Sequence, residues 1–147
     1  MCLYCVEYYT VEMRNKFKNL VKTQKIDNPY IDFFKLYDVS RDGLLPRIFS
    51  RGAEPIKGPG FIVSNRKSKK ASQTERFGGI RHRGIHVYNY IIGSKRSLRW
   101  AYVDCAVYVP VRGYYKDFVA ASRTEALFMK VEITKETWQA FKKLSRK

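Results

Sequence analysis

Negative charge is scarce in this chain: 13 Asp and Glu stand against 29 Lys and Arg among 147 residues, a formal charge of +16. Self-repulsion on that scale works against a compact state, so a polyanionic or acidic partner is the economical explanation. Cysteine is nearly as sparse. Cys2, Cys5 and Cys105 cannot all pair with one another, which excludes a disulfide scaffold and favours a reducing compartment. No apolar run approaches the roughly 18 residues of a spanning helix, and MCLYCVEYYTVEMR lacks the basic-then-apolar order of a secretory signal. A cytoplasmic protein with no membrane partner is expected.

Catalytic signatures are thin as well. Walker A, G-x-G-x-x-G, G-x-S-x-G and H-E-x-x-H are all absent, and there are two histidines, His82 and His86, flanking Arg83-Gly84. Such a pair beside lysines has the chemistry to cut RNA by acid and base catalysis, but arginines around His82 depress its pKa and His86 falls on a strand. Acidic residues are too scattered to hold magnesium. Cys2 and Cys5 form one C-x-x-C that, with Cys105 and His86, assembles a zinc site on paper; structural zinc sites show two such pairs, so small buried thiols are the better reading. No cofactor, no metal and no catalytic residue is assigned.

What the chain does have is enough apolar material, 45% with 15% aromatic, to build a core, and a length that suits a single domain over residues 1–147. Its charge is unevenly spread. Residues 51–100 carry 12 basic side chains against Glu54 and Glu75. Within them SNRKSKKASQTERFGGIRHR, residues 64–83, sets Arg66, Lys67, Lys69, Lys70, Arg76, Arg81 and Arg83 among small polar residues, which reads as a flexible basic loop.

Around that loop the periodicities alternate between helix and strand. Met13, Phe17, Leu20 and Val21 recur at helical spacing from Thr10, a candidate N-cap, to about Lys25. Asn28-Pro29 breaks the pattern and Ile31 to Val39 reads as a strand, with Ser40 to Gly43 as a turn and Leu44 to Phe49 returning as an edge strand because of Pro46. A short apolar run, Phe61 to Val63, leads into the loop. Ser94 caps a short helix reaching Trp100 to Val103, and Thr134 caps a final helix that turns Trp138, Phe141 and Leu144 inward. Strands outnumber helices and are joined mostly by turns. The expectation is an α+β fold, a mainly antiparallel sheet with N-terminal and C-terminal helices.

Several strands have one aliphatic and one polar-aromatic face. Ile85, Val87 and Ile91 oppose His86, Tyr88 and Tyr90; Cys105, Val107, Val109 and Val111 oppose Tyr108 and Arg112; Leu127, Met129, Val131 and Ile133 oppose Phe128, Lys130 and Glu132. Tyrosines so placed either lie half-buried beneath another element or stack bases while neighbouring cations hold the backbone. The candidate nucleic-acid-binding residues are Arg66, Lys67, Lys69, Lys70, Arg76, Arg81, Arg83, Lys95, Arg96, Arg99, Tyr88, Tyr90 and Arg112. No RRM, KH, helix-turn-helix or zinc-finger signature accompanies them.

Two resemblances bear on origin and chemistry. Phe118 to Ala121 followed by Thr124-Glu125-Ala126-Leu127-Phe128 resembles the late strand of ADP-ribosyltransferases, with Leu36-Tyr37 in the place of their first strand. Asp38 stands where those enzymes set Arg or His. Arg83 to Tyr88, Arg99-Trp100-Ala101, Val109 to Arg112, Phe118 to Ala121 and Glu125 to Val131 together resemble a family of small uncharacterised bacteriophage proteins with a GIHVF-like and a terminal EAVF-like strand, over about residues 80–133. The resemblance implies a viral origin and assigns no chemistry. The expected partner is nucleic acid or an acidic host protein complex, bound without catalysis; a phage inhibitor of host defence working by protein contact, or an ADP-ribosyltransferase-like enzyme, are the alternatives.

Overall fold

Strands take just over half of the described residues. The computed structural model describes residues 2–40, 43–46, 55–63, 72–76, 79–89, 102–103 and 106–145. Along them run β1 (Cys2–Val6), α1 (Glu7–Gln24), β2 (Tyr30–Ser40), β3 (Gly43–Pro46), β4 (Gly60–Val63), β5 (Ser72–Arg76), β6 (Gly79–Arg83) and β7 (Ile85–Tyr88). Then follow β8 (Tyr102–Val103), β9 (Ala106–Tyr114), a 3₁₀ turn (Tyr115–Asp117), β10 (Phe118–Ala121), β11 (Glu125–Phe128), β12 (Lys130–Ile133) and α2 (Lys135–Ser145). One small sheet is ordered β1-β6-β5, and the large one β10-β11-β7-β2-β9-β12-β4, with β3 also on β2 and β8 also on β9. Every pairing is antiparallel. The fold is therefore α+β on a mainly antiparallel sheet with a helix near each end.

The large sheet cannot be flat. Only Met129 separates β11 from β12, yet they lie four places apart in the strand order, roughly 19 Å in a planar sheet and far beyond the roughly 7 Å that two peptide units span. The sheet consequently folds back on itself, with one corner at Met129, whose N–H donates to Asp117 O at 2.8 Å. A second corner lies where β2 meets β7 through the single pair Phe34↔Tyr88. Phe33, Tyr37, Val87, Val107, Val109, Val111, Val131 and Ile133 fill the inner face.

The bend at Met129 also corrects one expectation. Phe128 faces the core rather than the polar-aromatic surface, with its ring 5.2 Å from Phe33, 5.6 Å from Phe118 and 6.2 Å from Phe17. Continuous alternation through residue 129 put it outside; a strand that turns a corner restarts its alternation. Gly113 makes the position possible, because a Cβ there would stand 2.4 Å from the Phe128 ring.

Helix α1 starts before Thr10, so Thr10 does not cap it. Its buried hydroxyl instead accepts the Ala121 N–H at 3.0 Å and lies 3.3 Å from Ala121 O, tying the helix to the sheet's outermost strand. The Phe17 ring stacks on Tyr115 at 5.3 Å. At α2, Thr134 Oγ1 accepts the Thr137 N–H at 3.2 Å, the expected cap, and Trp138 and Phe141 are buried. Tyr102 and Val103, read from the sequence as the end of a helix, are strand paired with Val107 and Ala106.

The stretch read as one loop over residues 64–83 is not loop throughout. Residues 72–76 and 79–83 are β5 and β6 of the small sheet, while 64–71 lie outside the described residues. Ser, Gln, Thr and Glu along β5 offer no apolar alternation, so nothing in their pattern announces a strand.

Candidate functional site

Register on the large sheet puts Phe34, Leu36, Tyr108, Arg112 and Tyr114 on the outer face of β2 and β9, with His86 and Tyr88 from β7 and Glu132 from β12. This is the polar-aromatic face expected from sequence, and it divides into two regions. Near β7 it is closed: Tyr108 is 2% exposed, Phe34 7% and His86 8%, with Tyr88 and Leu36 packed against them. Tyr88 is half-buried, its ring 5.0 Å from His86 and 6.2 Å edge-on from Tyr108.

At the closed region His86 and Glu125 of the outer face meet, and the Nζ of Lys35, whose side chain alternates with Phe33 and Tyr37 on the inner face, reaches the β7 backbone. His86 Nε2 lies 2.8 Å from Glu125 Oε2, a short but poorly aligned contact. Lys35 is half-buried and donates from Nζ to His86 O at 3.0 Å, where β7 diverges from β2. Enclosure lowers the Lys35 ammonium to about 8. Burial also pulls the His86 imidazole below its ordinary range, the Glu125 carboxylate opposing and Lys35 adding to the depression. Tyr37 is fully buried, with its hydroxyl lacking a partner among the described residues, and burial pushes its pKa up.

At the far end of the same face Tyr30 and Phe61 are exposed and Tyr114 is half-buried. Across β2, β9, β12 and β4 one row reads Asp32, Arg112, Glu132, Phe61, and Tyr30 faces Tyr114 in the next row, which continues toward Lys130 and Val63. The Tyr30 and Tyr114 rings stand 5.7 Å apart, and Tyr114 and Phe61 6.2 Å. Two cations lie against rings: Arg112 4.2 Å from the Tyr30 centroid and Lys130 4.8 Å from that of Phe61. Exposure is 41% for Tyr30, 54% for Phe61 and 60% for Val63. Tyr114 donates to Glu132 Oε1 at 2.6 Å; desolvation first, then this carboxylate, hold its hydroxyl above the usual range, with Arg112 opposing. Pro29 O accepts the Tyr115 N–H at 2.9 Å and Asn28 Oδ1 the Lys116 N–H at 2.8 Å, which pins Tyr30 beside Tyr114.

Of the residues assigned from sequence, Arg112 belongs to this open platform and Tyr88 to the closed region. Arg76, Arg81 and Arg83 lie on the small sheet, with Arg81 opposite Tyr4 and Ser72 and Arg83 opposite Cys2. Arg66, Lys67, Lys69, Lys70, Tyr90, Lys95, Arg96 and Arg99 fall outside the described residues. Tyr30, Phe61 and Tyr114 were not assigned. Their signal was present in the strand pattern but masked, Tyr30 by the Pro29 break and Phe61 by its place in a short apolar run.

No group of three or more metal-ligating side chains occurs among the described residues, nor a helix long and apolar enough to cross a membrane. The chain matches no protein-family model, no curated protein and no solved structure.

Proposed function

We propose that this is a single-stranded nucleic-acid-binding protein of viral origin, working in the host cytoplasm without catalysis. The observation that carries the reading is the open platform: Tyr30, Tyr114 and Phe61 offer rings for base stacking, while Arg112 and Lys130 stand within reach of flanking phosphates. The platform itself is nearly balanced in charge, with Asp32 and Glu132 beside its two cations, so long-range attraction comes from the +16 of the whole chain. Stacking then holds what the field collects. Fluorescence anisotropy with a labelled single-stranded octamer tests this. Binding should be clear at low salt and fall linearly in log affinity against log salt, by about 0.7 per phosphate neutralised. Absence of binding at low salt would transfer the basic surface to an acidic host protein, as expected of a defence inhibitor.

A second reading draws on the closed region. Glu125 opens β11 and meets His86 at 2.8 Å, which supports the ADP-ribosyltransferase-like alternative, since that resemblance rests on the same glutamate. Release of nicotinamide from NAD, lost in Glu125→Gln, would favour it over the binding reading.

A further inference from the structure

Carboxylates are out of place on a surface meant only for phosphate. This chain has 13 of them against 29 cations, yet Asp32 and Glu132 both stand in the row that crosses the platform. Glu132 is partly used, since one of its oxygens accepts the Tyr114 hydroxyl. Asp32 is different. Its side chain is 61% exposed, and among the described residues its ion partner is Arg112 Nε at 3.9 Å and its oxygens accept no hydrogen bond. That ion pair is long and exposed, worth little as a brace. Two residues along the strand, on the same face, is the exposed ring of Tyr30.

We infer that Asp32 and Tyr30 make the platform a reader of guanine: the base stacks on Tyr30 and its Watson–Crick edge meets the Asp32 carboxylate. This deepens the single-strand-binding reading and rests on it. An ionised carboxylate only accepts hydrogen bonds. Guanine alone among the bases presents two adjacent donors on that edge, the ring N1–H and the 2-amino group, spaced to match two carboxylate oxygens. Adenine and cytosine present one amino group beside an acceptor nitrogen. Uracil and thymine present one N–H between two carbonyl oxygens, which the carboxylate repels. Arg112 already lies against one face of the Tyr30 ring, 4.2 Å from its centroid, so the base takes the other face.

The test compares three labelled RNA octamers at one low salt concentration: all uridine, the same with a central guanosine, and the same with a central inosine, which keeps N1–H and lacks the 2-amino group. The guanosine octamer should bind about tenfold more tightly than the uridine one, with inosine between them. Asp32→Asn should bring the guanosine-to-uridine ratio close to one and, by removing a negative charge, should bind the uridine octamer more tightly than the parent does. Its circular dichroism and melting temperature should match the parent's, given the exposure of the side chain. A parent ratio near one, or a ratio that survives in Asp32→Asn, overturns the guanine assignment while single-strand binding stands. Failure of all three octamers to bind overturns both.

Discussion

Two regions of one sheet face carry nearly the same residues and meet opposite fates. Around His86 the tyrosines Tyr88 and Tyr108 lie against Phe34 and Leu36, and the surface closes. At the other end Tyr30 and Tyr114 have charged neighbours, Asp32, Arg112 and Glu132, and the surface stays open. The tyrosine does not decide; the side chains beside it, on its own strand and on the next, do. An aliphatic or phenyl neighbour gives the ring something to be buried with, whereas a charge must keep its own hydration and holds the ring beside it in water. A polar-aromatic face is thus a composite, and only the part interleaved with charge is available to a ligand.

The comparison breaks most visibly by removing one ring from each region. Tyr108→Ala should lower unfolding free energy by about 3–5 kcal/mol, the range for a large aromatic lost from a closed site. Tyr30→Ala should cost less than about 1 kcal/mol, measured by the same urea melts. Equal losses would mean that the two regions are energetically alike and the division is only geometric.

Between pH 8 and 10 a change of pH probes Lys35, which alternates with Phe33 and Tyr37 on the inner face behind the closed region. The folded Lys35 sits at about 8, below its ordinary 10.5, so between those values the unfolded chain binds more protons and stability rises with pH. The gain should be about 2 kcal/mol from pH 8 to 10, and Lys35→Met should abolish it. Above 10 the sign reverses, because Tyr37 keeps its proton in the fold while the unfolded tyrosine loses it. His86, also depressed, has the same sign as Lys35 in a lower window: its contribution is complete above 6.5 and is lost as the pH falls from there through the depressed folded value. A stability profile flat from pH 8 to 10 would mean that the Lys35 ammonium is solvated after all.

On the proposed reading, stacking belongs to the open region alone. Tyr30→Ala and Phe61→Ala should each cost about 1–3 kcal/mol in binding a single-stranded octamer, and Tyr108→Ala nothing per folded molecule. Anisotropy titrations, with folded fraction fixed by circular dichroism, measure both. Loss of affinity in Tyr108→Ala alone would move the binding site to the region around His86.

Much of this was legible from one sequence. The strand over β2 follows from its β-branched and aromatic content, and the alternation of β9, the helix carrying Met13 and Phe17 and the Thr134 cap from spacing, because periodicity is the imprint of burial. Arg112 could be assigned for the same reason. What escaped lies where a second constraint overrides the period. Phe128 turns inward because the chain bends at Met129 and Gly113 leaves room, a relation between residues on different strands that local pattern does not contain. Strands β5 and β6 pair through backbone without the apolar alternation that would mark them. The platform needed two facts at once, that β4 lies next to β12 and that β2 begins one residue after Pro29, and only pairing supplies the first.

The smallest expected effect sharpens the comparison by separating charge from ring within the open region. Lys130 lies 4.8 Å from the Phe61 centroid, close enough for the cation to steady the ring and for its ammonium to meet a phosphate beside a stacked base. Lys130→Gln removes the charge and keeps most of the stem. Stability should change by less than about 0.5 kcal/mol, since an exposed cation–ring contact contributes little. Affinity should fall only modestly, but the slope of log affinity against log salt should drop by about 0.7, the signature of one phosphate contact on a single strand. Phe61→Ala should weaken binding with the slope nearly unchanged, because stacking releases no counterions. If the two substitutions alter the slope alike, ring and cation act as one unit; if neither alters it, the phosphates are held elsewhere and the platform binds bases only.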